Sequence, residues 1–569
     1  MLAADLAQDH RLGFARSFTQ VVVAACQGAR GLSETRPDNI ELGLLSTEAA
    51  IAAENLGGAA AAMRPNQAAY FIGTIYTAAL PDAYRAAHGI FYTPPDLLEH
   101  LLVMAEEAGV VWSDCRTLDP ACGGGAFLVA VALRMQAALE GIDPAFILQR
   151  IGAKLRGFDI DPFGAWLAQA QLELALQGLI VQAGRVAPPI VETRDSLALS
   201  SQEIGVYDLV IGNPPYGRVS LDAERRASFH RGIYGHANLY GLFTDAALHW
   251  TKPGGIIAYV TPTSMLSGLY YKALRRLLAT EAPPLSVNFV AERDGVFEDV
   301  LQETMLATYR KGGLGLGGEV GFIGANSGRG TRRTRAGRFS LPAQPEAPWL
   351  LPRVPTQAAL TRRIRSMPHR LKDYGYGVST GPLVWNRHKD QFRAAPGTGT
   401  FPVIWAESVT SDGRFLWRSA RRNHAPWLEA MRPKDDWLIV TQPCVLLQRT
   451  TAKEQARRLI AAELPESFIR QHHGVAIENH LNMVRAVSAK PAVPAAVIAA
   501  LLNSAAVDAA FRCINGSVAV SAFELQELPL PASSVMRRVA QLVAAGAAPA
   551  KIDAVIATAY GMNNAAAAA

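Results

Sequence analysis

The chain has 569 residues, half of them hydrophobic and 18% charged, an ordinary balance for a globular protein with room for two or three domains. Its formal charge of +6 conceals a division: residues 329–569 carry 31 Lys+Arg against 16 Asp+Glu, a net of +15, and residues 1–328 carry 24 against 33, a net of −9. A basic half joined to an acidic half suggests a nucleic-acid-binding module attached to something else, and the composition excludes collagen-like, disordered and disulfide-framework classes. No run reaches the roughly 18 apolar residues of a membrane span. The start, MLAADLAQDHRLGF, has acids where a signal peptide needs a basic region, so a cytoplasmic protein is expected. Five scattered cysteines without a CxxC pair argue against a zinc site and fit a reducing compartment.

In chain order, residues 1–88 read as alanine-rich helices, for example LGLLSTEAAIAAENL, with no catalytic constellation. From Thr117 short apolar runs alternate with amphipathic stretches: RTLDPA then AFLVAVALRMQAALE, LRGFDID then PFGAWLAQAQLELAL, DLVIG then ANLYGLFTDAALHW, and GGIIAYVTPTS then YYKALRRLLAT. Strands of four to eight residues alternating with longer helices predict a parallel sheet with helices on both faces. LSVNFVAER and TMLATYRKG follow without a helix between them, which predicts a closing antiparallel hairpin. Residues 326–355 are rich in Gly, Arg and Pro and read as a linker. Their five arginines between Arg329 and Arg338, Arg333 and Arg335 among them, suit a tether lying along phosphates. From 356 to 569 a second domain of mixed strands and helices is expected.

In an open parallel sheet, ligands bind at the carboxyl ends of the central strands. LDPACGGGAF, residues 118–127, lies there, and Gly123 and Gly125 let backbone approach a ligand. An acid four residues before the first glycine would repel a diphosphate and attract an ammonium, which favours a cofactor with an amino-acid end, such as S-adenosylmethionine, over a dinucleotide. The second strand ends in Asp159, placed to accept from both hydroxyls of a ribose, with Ile160 beside it; Asp161 reads as the cap of the helix opened by Pro162. Asp195 follows the third strand and is placed to accept an adenine's exocyclic amine. A single strand-end aspartate is ordinarily a helix cap; three around one loop favour a site.

The fourth strand runs into Asn213-Pro214-Pro215-Tyr216. Two prolines remove two donors and fix φ, so neither helix nor central strand continues. Such a turn is either a rigid stop or a site holding a planar amino group between an amide, a carbonyl and a ring.

Taken together, HGIFYTPPDLLEHLL (88–102), LDPACGGGAF (118–127), GFDIDPFGAWLAQ (157–169), RDSL (194–197), YDLVIGNPPYG (207–217) and GVFEDVLQETMLATYRK (295–311), in that order, resemble the gamma-class DNA adenine-N6 methyltransferases of bacterial restriction–modification systems. The resemblance implies a Rossmann-like S-adenosylmethionine-dependent catalytic domain over 89–325, an N-terminal helical extension and a C-terminal mixed α+β target-recognition domain. It places Tyr92, Thr93 and Pro94 at the methionine end of the cofactor, Asp119 and Ala121 at its amino group, Asp159 at the ribose and Asp195 at the adenine. Asn213 and Pro214 would accept the hydrogens of a target amine, and Tyr216 and Phe297 would stack on an extruded adenine. Glu298 stands where the family often has proline. VSTGPLVWNRHKDQF and NGSVAVSAFELQELPLP resemble segments of the recognition domains, so Arg387, His388 and Lys389 are candidates for DNA contact.

Double-stranded DNA, a separately encoded endonuclease, a monomer and no metal complete the expectation; His480 reads as structural. Cytosine N4, an rRNA base or a protein glutamine are alternative acceptors, although the cytosine subgroup more often has Ser in place of Asn213. A DNA-binding protein with an inactive methyltransferase fold is the non-enzymatic alternative. No lysine has an acid two residues before it, so the E-x-K half of the common nuclease motif is absent.

Overall fold

The computed structural model describes residues 8–88, 93–198, 204–290, 303–325, 330–418, 424–450, 457–515 and 519–562. Tyr92 and Phe297 lie outside the described residues. The chain divides into two compact units, one of residues 1–262 and 273–335 and one of residues 263–272 and 336–569.

The first unit is built on strands β1 (Thr117–Asp119), β2 (Leu155–Asp159), β3 (Val191–Thr193), β4 (Tyr207–Gly212), the two-residue β5 (Arg218–Val219) and β6 (Ala237–Asn238), then β7 (Thr251–Pro262), β8 (Pro284–Val290), β9 (Thr304–Arg310), β10 (Glu319–Ala325) and β11 (Thr331–Arg338). Nine of these form one sheet in the order β11-β10-β8-β9-β7-β4-β1-β2-β3, and β5 and β6 pair apart from it. β1 is parallel to both β2 and β4, β2 to β3, and β4 to β7. The predicted hairpin is present, and β9 inserts antiparallel between β7 and β8. Strand order reverses at β1/β4, the topological switch point where α/β sheets open a crevice for ligands.

Local chemistry explains the joints. Helix Ala126–Ala138 follows β1 and buries most of its first two turns, Phe127 to Ala132, so it is held by packing rather than by an amphipathic stripe. Helix Pro162–Ala175 opens on Asp161, whose carboxylate caps Phe163 N with proline at the first helical position, the predicted cap. Its other face carries Phe163, Leu167, Ala170 and Leu174 into a cluster with Phe14, Phe18, Val22, Ile72 and Tyr76. Helices Gln8–Ala29, Thr47–Ala61 and Pro65–Ala79 are therefore a layer packed on the sheet's own helix. The expected N-terminal extension is helical, and it belongs to the same compact unit.

The linker reading of 326–355 is corrected. Thr331–Arg338 is a strand, and Trp349 and Leu351 beyond it are fully buried. Ala336 is the one residue of the strand that is buried, and the tryptophan and leucine are anchors that the Gly/Arg/Pro composition obscured. The break between units falls at Arg335/Ala336, within that strand.

The second unit holds an antiparallel sheet of Tyr376–Thr380, Leu481–Ala486, Cys444–Gln448 and Ala461–Leu464 and a five-stranded sheet centred on Thr400–Ile404. Helices Ala495–Leu502, Ala505–Arg512, Ser533–Ala544 and Pro549–Ala559 contribute to a core with Phe511, Met536, Val539 and Ile556. Strand Cys444–Gln448 buries its first four residues. The 515–531 segment is used structurally: Glu524, buried, accepts from Asn515 Nδ2 and from Ser521 Oγ at 2.7 Å. His480 sits against Glu478 at 2.7 Å. No single helix among the described residues is long and apolar enough to cross a membrane.

Candidate active site

The carboxyl ends of β4, β1, β2 and β3, four neighbours in the sheet, border a cavity of about 280 Å³. After β1 the chain turns sharply: Cys122 N donates to Phe158 O at 3.0 Å and Gly125 N to Cys122 O at 2.8 Å. Gly125 ends the turn at φ +84° with helix 162–175 so close that a Cβ would lie 2.8 Å from Ala168 Cα. Only glycine meets both demands. Gly123 N donates to Asp159 Oδ2 at 2.8 Å, and Asp161 N donates to Asp159 Oδ1 at 2.9 Å. The loop after β1 and the acid after β2 are thus tied together, and Ala121, Gly123, Asp159 and Ile160 all line the cavity.

Asp119 lies beneath the loop, 1% exposed. Its Oδ1 accepts from Ala121 N at 3.2 Å, and its Oδ2 has no partner among the described residues. Strand β4 passes so near that a Cβ on Gly212 would sit 2.8 Å from Asp119 Oδ1. Burial pushes the Asp119 carboxyl up to about 8, with the charge of Asp159 adding to the effect. Asp159 is pushed up to about 6, again chiefly by burial, against the pull of its backbone donors. Two acids whose burial disfavours ionisation, one with a bare buried oxygen, form a site that gains by receiving a cation or hydroxyl donors.

Asp195 accepts from Leu197 N at 3.0 Å and from the Arg225 guanidinium at 2.6 Å. Ser196 Oγ donates to Pro120 O at 2.5 Å, which locks the loop after β3 to the loop after β1. Asp195 and Arg225 both line the cavity.

Asn213 projects from the end of β4. Its Nδ2 donates to Thr93 Oγ1 at 3.2 Å, and its Oδ1 accepts from the Tyr216 hydroxyl at 2.7 Å. Thr93 is buried, and these two contacts fix which way the amide faces. The Tyr216 ring meets Tyr240 edge-on at 6.0 Å. The 213–217 turn is held at its far end by Leu239 N donating to Gly217 O at 2.9 Å and by pairing of Arg218 with Asn238.

Of the residues expected from sequence, Thr93, Ala121, Gly123, Asp159, Ile160, Asp195, Asn213 and Pro215 border the one cavity. Asp119, Gly125 and Tyr216 stand directly behind it through the contacts above, Pro214 is buried between the lining residues Asn213 and Pro215, and Pro94 opens helix Pro95–Glu107. Arg333 and Arg335 lie on the strand Thr331–Arg338, away from the cavity lining, and pair with Glu107 and Glu319. Arg387, His388 and Lys389 belong to the second unit. Sequence reasoning missed Tyr76, whose hydroxyl donates to Asp161 Oδ2 at 3.3 Å, and Arg16, which pairs with Asp161 Oδ1 at 3.3 Å. It also missed Arg225. Partners 85 or 145 positions away leave no local signal.

A parallel sheet with this strand order, an antiparallel strand inserted beside its end and a cavity of this chemistry define an S-adenosylmethionine-dependent methyltransferase fold. Residues 155–297 match the family model described as Eco57I restriction-modification methylase. The chain is similar to the Type II methyltransferase M.BsuBI of Bacillus subtilis, 23% identical over 460 residues covering 79% of this chain and 88% of that protein. It is also similar to the Type II methyltransferase M.PstI of Providencia stuartii, 25% identical with coverage of 62% and 70%. Among solved structures, the Type IIL restriction-modification enzyme MmeI in complex with DNA aligns over 96% of this chain and 87% of its own at a TM-score of 0.56 and 12% identity, a likeness of fold. The resemblance to restriction–modification methyltransferases read from the motifs is borne out.

Proposed function

We propose that the protein is a site-specific DNA methyltransferase that uses S-adenosylmethionine to methylate the N6 amine of an extruded adenine and protects DNA in a restriction–modification or related defence system. The observation that carries this reading is the Asn213 carboxamide, oriented by Thr93 and Tyr216 at the edge of a cavity whose acids suit that cofactor.

Asp119, with its bare buried oxygen, would take the cofactor's ammonium, Asp159 would meet the ribose hydroxyls and Asp195 the adenine amine. Bound there, the cofactor supplies a methyl group on an electrophilic sulfonium. An exocyclic adenine amine is a poor nucleophile because its lone pair is delocalised into the ring. Asn213 Oδ1 and the Pro214 carbonyl, the latter held by two ring-constrained residues, are the two acceptors. Both accepting hydrogens from one amine would draw its nitrogen toward a tetrahedral shape and aim its lone pair. Prolines and an already oriented amide need no rearrangement at the moment of reaction, the condition under which electrostatic stabilisation is most effective. The neutral amide adds no charge to desolvate. A base within duplex DNA cannot reach such a position, so extrusion is part of the proposal, with Tyr216 and Phe297 as stacking partners. Residues 336–569, which hold most of the chain's excess positive charge, act as the recognition module with Arg387, His388 and Lys389 at its contact surface.

Expression in a host without DNA methylation, followed by sequencing that detects modified bases, should give N6-methyladenine at one recognition sequence. N4-methylcytosine would keep the site and change the base; no DNA mark, or label in protein or ribosomes, overturns the reading. Asn213→Ala should lower turnover by about 100-fold or more while calorimetry shows cofactor affinity largely unchanged.

A further inference from the structure

Two surface turns of the second unit stand side by side. Trp385–Arg387 and Lys389–Gln391 are consecutive single-turn 3₁₀ segments, and the other turn runs from Met431 to Trp437. They are joined from below. Gln391, buried, donates to Asp435 Oδ2 at 2.6 Å and to Glu429 O at 3.1 Å, and the same Asp435 oxygen accepts from Met431 N at 2.9 Å. His388 Nδ1 meets Gln391 Oε1 at 2.6 Å. A buried amide–carboxylate pair therefore sets the distance between the turns, and a surface so braced is not a floppy loop.

What the brace holds up is unusual for a protein surface. Trp437 is 60% exposed and Trp385 is 37% exposed, although large aromatics are ordinarily well buried. The Lys389 ammonium lies 5.3 Å from the centre of the Trp385 ring, and the His388 ring lies 6.0 Å from that of Trp437. Arg387 and Lys434 are exposed beside them, while Arg432 is engaged by Asp436. Flat apolar faces flanked by cations that form no ion pair among the described residues, in the half of the chain with a net charge of +15, suit a polyanion whose units also carry flat faces. An apolar protein partner would use the rings and find no use for the cations.

We infer that the Trp385–Trp437 surface is an aromatic contact for duplex DNA, in which the indoles lie against deoxyribose faces while Arg387, Lys389 and Lys434 hold the adjoining phosphates. This rests on the proposed function and adds to it: the basic triplet read from sequence is half of the surface, and the 431–437 turn, which no motif marks, is the other half. Stacking and phosphate neutralisation respond differently to salt, because only the latter releases counterions.

The test is equilibrium binding of the full-length protein to duplex DNA containing its recognition sequence, measured by fluorescence anisotropy from 50 to 300 mM salt. Trp437→Ala should weaken binding roughly 5- to 30-fold with the log–log salt slope unchanged, and Trp437→Phe should recover most of the loss. Lys389→Ala should reduce the slope by about 1. An unaltered melting temperature for Trp437→Ala separates the effect from misfolding, and Trp385→Ala gives a second, independent probe. If both tryptophan variants bind as tightly as the wild type while the wild type methylates DNA, the surface inference is overturned and the functional proposal stands. If the wild type binds no DNA, both fall.

Discussion

Asn213 is held by hydrogen bonds of opposite sense, its amide nitrogen giving one to Thr93 and its oxygen taking one from Tyr216. The Tyr216 hydroxyl thereby orients the carboxamide, a role separate from any stacking by its ring. Tyr216→Phe keeps the ring and removes the donor, so kcat should fall about 5- to 10-fold, the worth of one hydrogen bond. Tyr216→Ala should cost clearly more; equal kinetics for the two variants would leave the hydroxyl without a role. Asp119 offers a test in pH. Burial raises its carboxyl to about 8, so between about pH 4 and 8 the folded chain holds a proton that the unfolded chain has lost. The contribution of this residue to stability is present at low pH and falls as pH rises to 8, on the order of a few kcal/mol. Asp119→Asn should abolish that part of the decline in melting temperature, leaving the smaller part that Asp159 contributes between about pH 4 and 6, and it should weaken cofactor binding. In the wild type, cofactor affinity should rise with pH up to about 8, with proton release seen as a dependence of calorimetric heat on buffer.

Helix Pro162–Ala175 connects the site to the N-terminal layer. One end carries Asp161 beside the cavity, held by Arg16 and Tyr76 from two other helices, and its buried face carries Phe163, fully enclosed among aromatic and aliphatic neighbours. Phe163→Ala should destabilise the chain by about 3–5 kcal/mol in denaturant unfolding. It should also weaken cofactor binding at temperatures where the chain stays folded, because the helix start and the Asp159 loop share Asp161. A loss of stability with cofactor affinity intact would show that the N-terminal layer supports the fold without positioning the site.

Across the whole molecule, charge is divided: the site with its bare acid lies in the half with a net of −9, and the exposed basic and aromatic turns lie in the half with a net of +15. Affinity for DNA should therefore fall steeply with salt, and the slope should be the same for Asn213→Ala as for the wild type, since that change leaves every phosphate contact in place. A shallower slope in Asn213→Ala would mean that the catalytic turn contributes to phosphate binding.

How much of this was legible beforehand depends on the range of the physics. Period-2 and period-3.6 patterns between Thr117 and Lys311, the glycines at the end of β1, the acids at the ends of β1 and β2 and the prolines after β4 are local constraints. Each is imposed by a turn, a cap or a buried strand within a few residues, and the amino-acid sequence alone therefore determined the sheet, its open end and most of the residues around the cavity. The 331–338 strand was hidden because TRRTRAGR has no apolar alternation, and its place at the edge of the sheet is set by pairing with a neighbouring strand. The pairings Asp161 with Arg16 and Tyr76, Asp195 with Arg225, and Gln391 with Asp435 were decided only by the tertiary structure. Hydrogen bonds and ion pairs act over 3 Å in space with no regard for separation along the chain, so only folding reveals which charges are spent on neighbours and which remain for a ligand.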